Sequence, residues 1–154
     1  VPEDRKLFSH LTVRENLIVG SYSPRAKAKL KENFEMVYEI FPVLKERENQ
    51  LVMTLSGGEQ RMLAIARGLM SNPVLLILDE PSQGLSPILT VEVFKAVEKL
   101  GTRGLSILLA EQNVYSAAEC ADKAYVMETG RITLQGECEE VLKNKYVKEA
   151  FLGL

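Results

Sequence analysis

The chain is 154 residues long, with 46% hydrophobic and 26% charged residues, the make-up of a globular domain with a buried core rather than of a disordered segment. Nineteen basic against 21 acidic residues leave a formal net charge of -2, which offers no polybasic patch for nucleic acid or a membrane surface. Cys120 and Cys138 lie far apart and His10 is the single histidine, so neither a metal site nor a disulfide framework is indicated, and no apolar run approaches the ~20 residues of a membrane-spanning helix.

The N-terminal segment Val1-Pro2-Glu3-Asp4-Arg5 carries two acids before any apolar stretch, unlike a secretory signal; it reads either as a start from which Met was removed or as the end of a strand. Thr12-Val13-Arg14-Glu15 has the pattern of a capping box and predicts a helix stopping near Gly20. Ser23-Pro24 opens a second predicted helix running to Phe41, with Leu30, Phe34, Val37, Tyr38 and Phe41 on one face and charges largely opposite. Pro42 ends that pattern, and a polar stretch, 45–50, leads to Leu55-Ser56-Gly57-Gly58-Glu59-Gln60. From there Met62, Leu63, Ile65, Ala66, Leu69 and Met70 recur at helical spacing, which predicts a helix from the double glycine to Ser71-Asn72-Pro73.

Leu75-Leu76-Ile77-Leu78 is a continuous apolar run that predicts a parallel strand covered on both faces, ending in Asp79-Glu80-Pro81. Ser86-Pro87 then starts a helix through Val91, Val93, Phe94 and Val97 to about Gly101, and a second buried strand, 106–110, ends in Glu111-Gln112-Asn113. Strand, helix, strand in that order predicts a right-handed crossover. A short helix around 115–120, a hairpin turning at Glu128-Thr129-Gly130, and two short helices from Glu137 and Tyr146 complete the chain, with no repeat and no linker dividing it.

Two places carry chemistry. Adjacent carboxylates at the C-terminal end of a buried strand stand where open α/β sheets bind ligands. Asp79 suits Mg2+, held through water, and Glu80 suits orienting or deprotonating a nucleophilic water; the alternative is a pair of helix caps for the next segment. Ser56-Gly57-Gly58 before a helix brings a hydroxyl, unobstructed amides and the positive helix end to one spot, an arrangement for phosphate, although Gly-Gly also marks a plain turn.

Together these motifs resemble the ATP-binding subunits of ABC transporters: Leu55-Ser56-Gly57-Gly58-Glu59-Gln60 is similar to the signature, Leu75 to Pro81 to an extended Walker B motif, and Ser82-Gln83-Gly84-Leu85 to the D-loop. Residues 1–8, 11–17, 81–87 and 109–113 resemble the branched-chain amino-acid importer type. Glu3 stands where the Q-loop glutamine is usual, and Gln112 where most members have a switch histidine; a glutamine can donate to a γ-phosphate but cannot titrate near neutral pH. No G-x-x-x-x-G-K-[ST] loop occurs, so the usual cradle for the β-phosphate is missing from these residues, and the chain as given is expected not to hydrolyse ATP alone.

The resemblance implies an α/β fold, a partial P-loop NTPase domain with a mostly parallel sheet, a helical subdomain and a C-terminal hairpin. Residues 12–70 would form the helical and signature subdomain, and 73–154 the Walker B, D-loop, switch and C-terminal elements. It implies two ATPase subunits facing head to tail with ATP between them. Ser56, Gly57, Gly58, Glu59 and Gln60 would then bind nucleotide in trans, Asp79 would hold Mg2+, Glu80 would act as base, and Gln112 would sense the γ-phosphate. Glu3 would join the nucleotide-binding residues and, with the helices from Thr12 to Gln50, would couple the cycle to transmembrane permease subunits at the inner face of the cell membrane, with no nucleic-acid partner. A non-catalytic module presenting the signature, or an ATPase of another transporter branch, are the alternatives.

Overall fold

Thr12 opens α1 (Val13–Gly20) by accepting a hydrogen bond from the Glu15 amide, while the Glu15 carboxylate accepts from the Thr12 amide at 2.7 Å. This is the expected capping box, a feature that stabilises a helix by about 1 kcal/mol. In the structure, a computed structural model, residues 1–149 are described, and the chain resolves into two compact units, Val1–Ala110 and a second beginning at Glu111. Each is taken by itself.

In the first unit the single helix expected between Ser23 and Phe41 is two, α2 (Pro24–Ala28) and α3 (Leu30–Ile40), broken at Lys29. Next to the break lies Asn33, a buried polar residue whose side-chain amide donates to the Ala26 carbonyl and, across the fold, to the Met70 carbonyl. The Ala26 carbonyl also accepts from the Lys29 amide at 3.1 Å, and with the Met70 carbonyl it gives the buried Asn33 amide its partners, so the polar group is accommodated in the core. Pro42 stops α3 as expected but also starts α4 (Pro42–Glu46), because proline at the first helical position loses no internal bond. A 3-10 turn at Val52–Thr54 then leads to α5 (Gly57–Leu69), whose Met62, Leu63, Ile65, Ala66 and Leu69 are buried. Each large aliphatic among them contributes on the order of 1.5–3 kcal/mol of burial.

α5 packs closely on α1, where Gly20 leaves no room for a side chain: a Cβ there would stand 2.3 Å from the Arg67 carbonyl oxygen. Strands β1 (Leu75–Asp79) and β2 (Ser106–Ala110) pair in parallel, Leu76 opposite Ile107 and Asp79 opposite Ala110, joined by α6 (Pro87–Thr102). Val1 extends the sheet by one residue on the other side of β1, its ammonium donating to the Ile77 carbonyl at 2.7 Å and its carbonyl accepting from the Asp79 amide at 3.1 Å.

The expectation that β1 is covered on both faces is corrected. Leu76 and Leu78 are buried, but Leu75 and Ile77 are 47% and 51% exposed, and Leu108 beside Ile77 is 54% exposed. An apolar run records that both faces are apolar, not that both find partners within these residues.

The second unit holds α7 (Val114–Ala118), the hairpin β3 (Lys123–Glu128) with β4 (Arg131–Glu137), α8 (Cys138–Lys143) and α9 (Lys145–Val147). The hairpin turns on Thr129 and Gly130, both with positive φ as a two-residue primed turn requires. The part of the last predicted helix beyond Glu149 lies outside the described residues.

Candidate functional site

Ser56 caps α5 as Thr12 caps α1: its hydroxyl accepts from the Glu59 amide at 3.3 Å, and the Glu59 carboxylate accepts from the Ser56 amide at 2.8 Å. This second capping box fixes the turn before any ligand arrives, because two amides that would otherwise seek partners are already satisfied. Ser56 and Gly57 remain exposed on the surface of the unit. Gly58 is buried and serves packing: a Cβ there would stand 2.3 Å from Leu89 Cδ1, in the first turn of α6. The absence of a side chain at 58 therefore lets the start of α5 lie directly against the start of α6.

That contact matters because α6 follows the loop that carries the acidic pair. Asp79 is exposed at the end of β1, and its carboxylate supports the charge of the Val1 ammonium, whose pKa is nevertheless lowered, chiefly by partial burial and further by Arg67. Glu80 is half-buried and adopts a left-handed backbone, φ 42°, unusual for a residue with a side chain. Its amide donates to the Ala110 carbonyl at 2.9 Å, and its carbonyl accepts from Gln83 at 3.2 Å, so sheet and loop together hold a conformation that is costly by itself. A cleft of about 600 Å³ is lined by Glu3, Arg5, Gln60, Gln83 and Gly84, among others, bringing the segment after Val1, the signature helix and the loop after Glu80 to one place.

The remaining predicted residue, Gln112, is exposed in the second unit, at the start of the segment entering α7. Its carbonyl accepts from the Val114 amide at 2.9 Å, and the Glu111 carboxylate next to it accepts from the Asn113 amide.

Two side chains that the sequence reading passed over hold the signature turn. Arg47, just past α4, pairs through Nε with the Glu59 carboxylate at 2.8 Å, and Arg5 donates through Nη1 to the Gln60 side-chain oxygen at 3.1 Å. Neither has a local pattern to betray it, since the partners lie 12 and 55 positions away. Among the described residues no group of three or more histidine, cysteine or acidic side chains gathers as a metal would require, and no helix is long and apolar enough to cross a membrane.

Comparison with known proteins identifies the family. The ABC transporter family profile matches residues 1–83. The high-affinity branched-chain amino acid transport ATP-binding protein BraG of Pseudomonas aeruginosa is 48% identical over 153 residues, covering 99% of this chain and 65% of BraG. A probable branched-chain amino acid transport ATP-binding protein, LivF of Archaeoglobus fulgidus, is 36% identical over 155 residues and is likewise covered to 65%. The chain thus spans about two thirds of the length of the curated relatives it matches, at 65%. Among solved structures, the ADP conformation of an ATP-binding cassette of an ABC transporter superposes over 100% of this chain and 66% of its own, with a TM-score of 0.73 and 29% identity. The fold is therefore α/β, a partial ABC ATPase fold with a parallel strand pair, helices and a C-terminal hairpin.

Proposed function

The chain belongs to the ABC transporter family, and from that membership we propose that it carries the signature, Walker B and D-loop portion of an ATPase subunit that energises import of branched-chain amino acids. The observation that carries the reading is the pre-formed Ser56–Gly57 turn at the positive end of α5, seated through Gly58 on the helix that follows Asp79-Glu80-Pro81. Such a turn offers a hydroxyl and a helix N-terminus to an anion without reorganisation. The names of BraG and LivF support the choice of transported solute.

ATP would be shared between two subunits, with Ser56, Gly57 and the α5 N-terminus of this chain facing the γ-phosphate held by the partner's phosphate loop. The capping box leaves the Ser56 Oγ–H free to donate while its lone pair accepts from Glu59. Asp79 would hold Mg2+, which when bound offsets phosphate charge. Glu80 would accept the proton of the attacking water, with its backbone pinned by Ala110 so that the carboxylate is not free to drift. Gln112 would donate a hydrogen bond to the transferring phosphate. Glu3 sits in the cleft beside Gln60 and would pass changes at the signature towards permease subunits on the inner face of the membrane.

The bare apolar face of Leu75, Ile77 and Leu108, the single-residue pairing of Val1 on β1 and the 65% coverage of relatives all support reading these 154 residues as part of a longer subunit. Lacking a phosphate loop, the 154-residue chain is expected to show no ATP turnover alone. It is expected to associate with intact P. aeruginosa BraG in Mg-ATP and not in Mg-ADP, measured by analytical ultracentrifugation alongside phosphate release. Sustained turnover by the chain alone, or association indifferent to the nucleotide, would sink the reading.

A further inference from the structure

Arg5 and Lys6 are consecutive residues with side chains in the left-handed region, φ 62° and 48°. One such residue is uncommon and costs on the order of 1 kcal/mol or more; two in a row persist only where the surroundings demand them. The turn is closed by its own backbone, with the Arg5 amide donating to the Pro2 carbonyl at 3.2 Å and the Lys6 amide to the Asp4 carbonyl at 2.6 Å, and is held further from α5. Arg67, near the end of that helix, donates through Nη2 to the Arg5 carbonyl at 3.2 Å, and its guanidinium lies 5.5 Å from the centre of the Phe8 ring. The Phe8 backbone is in turn held from α1, since Asn16 accepts from the Phe8 amide and donates to its carbonyl, both at 3.0 Å.

The strained turn aims the Arg5 side chain at the other end of α5. Its Nη1 donates to the Gln60 side-chain oxygen, and both Nη atoms come within 3.6 Å of the point where a Cβ on Gly57 would stand. With its oxygen so engaged, the Gln60 amide donates to the carbonyls of Val52 and Leu55, the residues entering the signature turn. A guanidinium beside the positive end of a helix is not a favourable placement in itself, so the arrangement is explained by what the hydrogen bonds hold rather than by charge attraction.

We infer that Arg5 is a positioning residue for the signature: acting through Gln60, it sets the pose of Leu55-Ser56-Gly57 and links it to the segment containing Glu3. The inference rests on the signature's proposed role in binding ATP across a subunit interface. Arg47 braces the same helical turn through Glu59, so two guanidinium groups hold the turn, and Arg5 is the one that belongs to the Glu3 segment.

The test compares Arg5→Ala, Arg5→Lys, Gln60→Ala and the double variant Arg5→Ala/Gln60→Ala. Amide hydrogen exchange is followed at residues 55–60 in the free chain, and affinity for intact BraG is measured in Mg-ATP. Arg5→Ala is expected to raise exchange at 55–60 about threefold to tenfold, the scale of one net hydrogen bond, and to weaken the Mg-ATP-dependent association by a similar factor. The thermal midpoint and exchange elsewhere in α5 stay as in the wild type, which separates positioning from general support of the fold. The double variant is expected to be no worse than Gln60→Ala, and Arg5→Lys to recover only part of the effect because an ammonium lacks the planar fork. Unchanged exchange at 55–60, additive effects in the double variant, or altered exchange with unaltered affinity would each overturn the inference. Failure of the wild-type chain to bind BraG would instead sink the proposed ATP role, since the exchange measurements need no nucleotide.

Discussion

Glu80→Gln is expected to lower ATP turnover by roughly 10²–10⁴-fold, the usual contribution of a positioned general base. The measurement requires a phosphate loop, so residues 1–154 are placed in a chimera, replacing the matching portion of P. aeruginosa BraG, and phosphate release is followed with saturating Mg-ATP. Glutamine has the shape of glutamate and can keep the left-handed backbone, because that conformation is fixed by main-chain bonds to Ala110 and Gln83 and not by the carboxylate. What the substitution removes is the ability to take a proton. Association in Mg-ATP should therefore survive and become longer-lived while turnover falls. A loss of less than a few-fold would move the base elsewhere, and loss of association together with turnover would mean that Glu80 supports the fold or the interface rather than the chemistry.

Gly20→Ala is expected to destabilise the first unit by about 1–3 kcal/mol, the usual penalty for overpacking. In most helices the same change gains about 1 kcal/mol through propensity. Here the new methyl would stand 2.3 Å from the Arg67 carbonyl and 3.0 Å from Met70 Cβ, groups that cannot swing aside without moving α5 from α1. The steric cost exceeds the propensity gain, and thermal unfolding followed by circular dichroism should show a midpoint lower by roughly 2–12 °C. Gly101→Ala is the control: it lies within α6 with nothing closer than 4 Å to the added carbon, and should leave stability unchanged or slightly raised. A stable Gly20→Ala variant would show that α1 and α5 can separate without loss, contrary to their packing.

Local chemistry made the sequence readable where it was read correctly. The capping pattern at Thr12 and the serine-glycine start of α5 each specify a helix end within four residues, and Ser86-Pro87 and Thr129-Gly130 mark a start and a turn by backbone preference alone. The misread places depend on distant partners. The break between α2 and α3 lies beside Asn33, which bonds Met70 37 positions away, and nothing near Lys29 announces it. α4 has no signal apart from Pro42, which ends one helix pattern and suits the first position of another equally. At the site, the acidic pair and the signature turn were legible as motifs, whereas Arg5 and Arg47 were not, because a long-range hydrogen bond leaves no periodicity. The packing of Gly58 against Leu89 required coordinates.

The uneven sheet governs how the purified polypeptide would behave in solution. Leu75, Ile77 and Leu108 form an uncharged, water-facing strip on a chain whose formal net charge is only -2, so electrostatic repulsion between molecules is weak. Excluded salts strengthen burial of such surface, and ammonium sulfate should precipitate the chain at lower concentrations than a variant bearing Ile77→Lys, while mild non-ionic detergent should keep it dispersed.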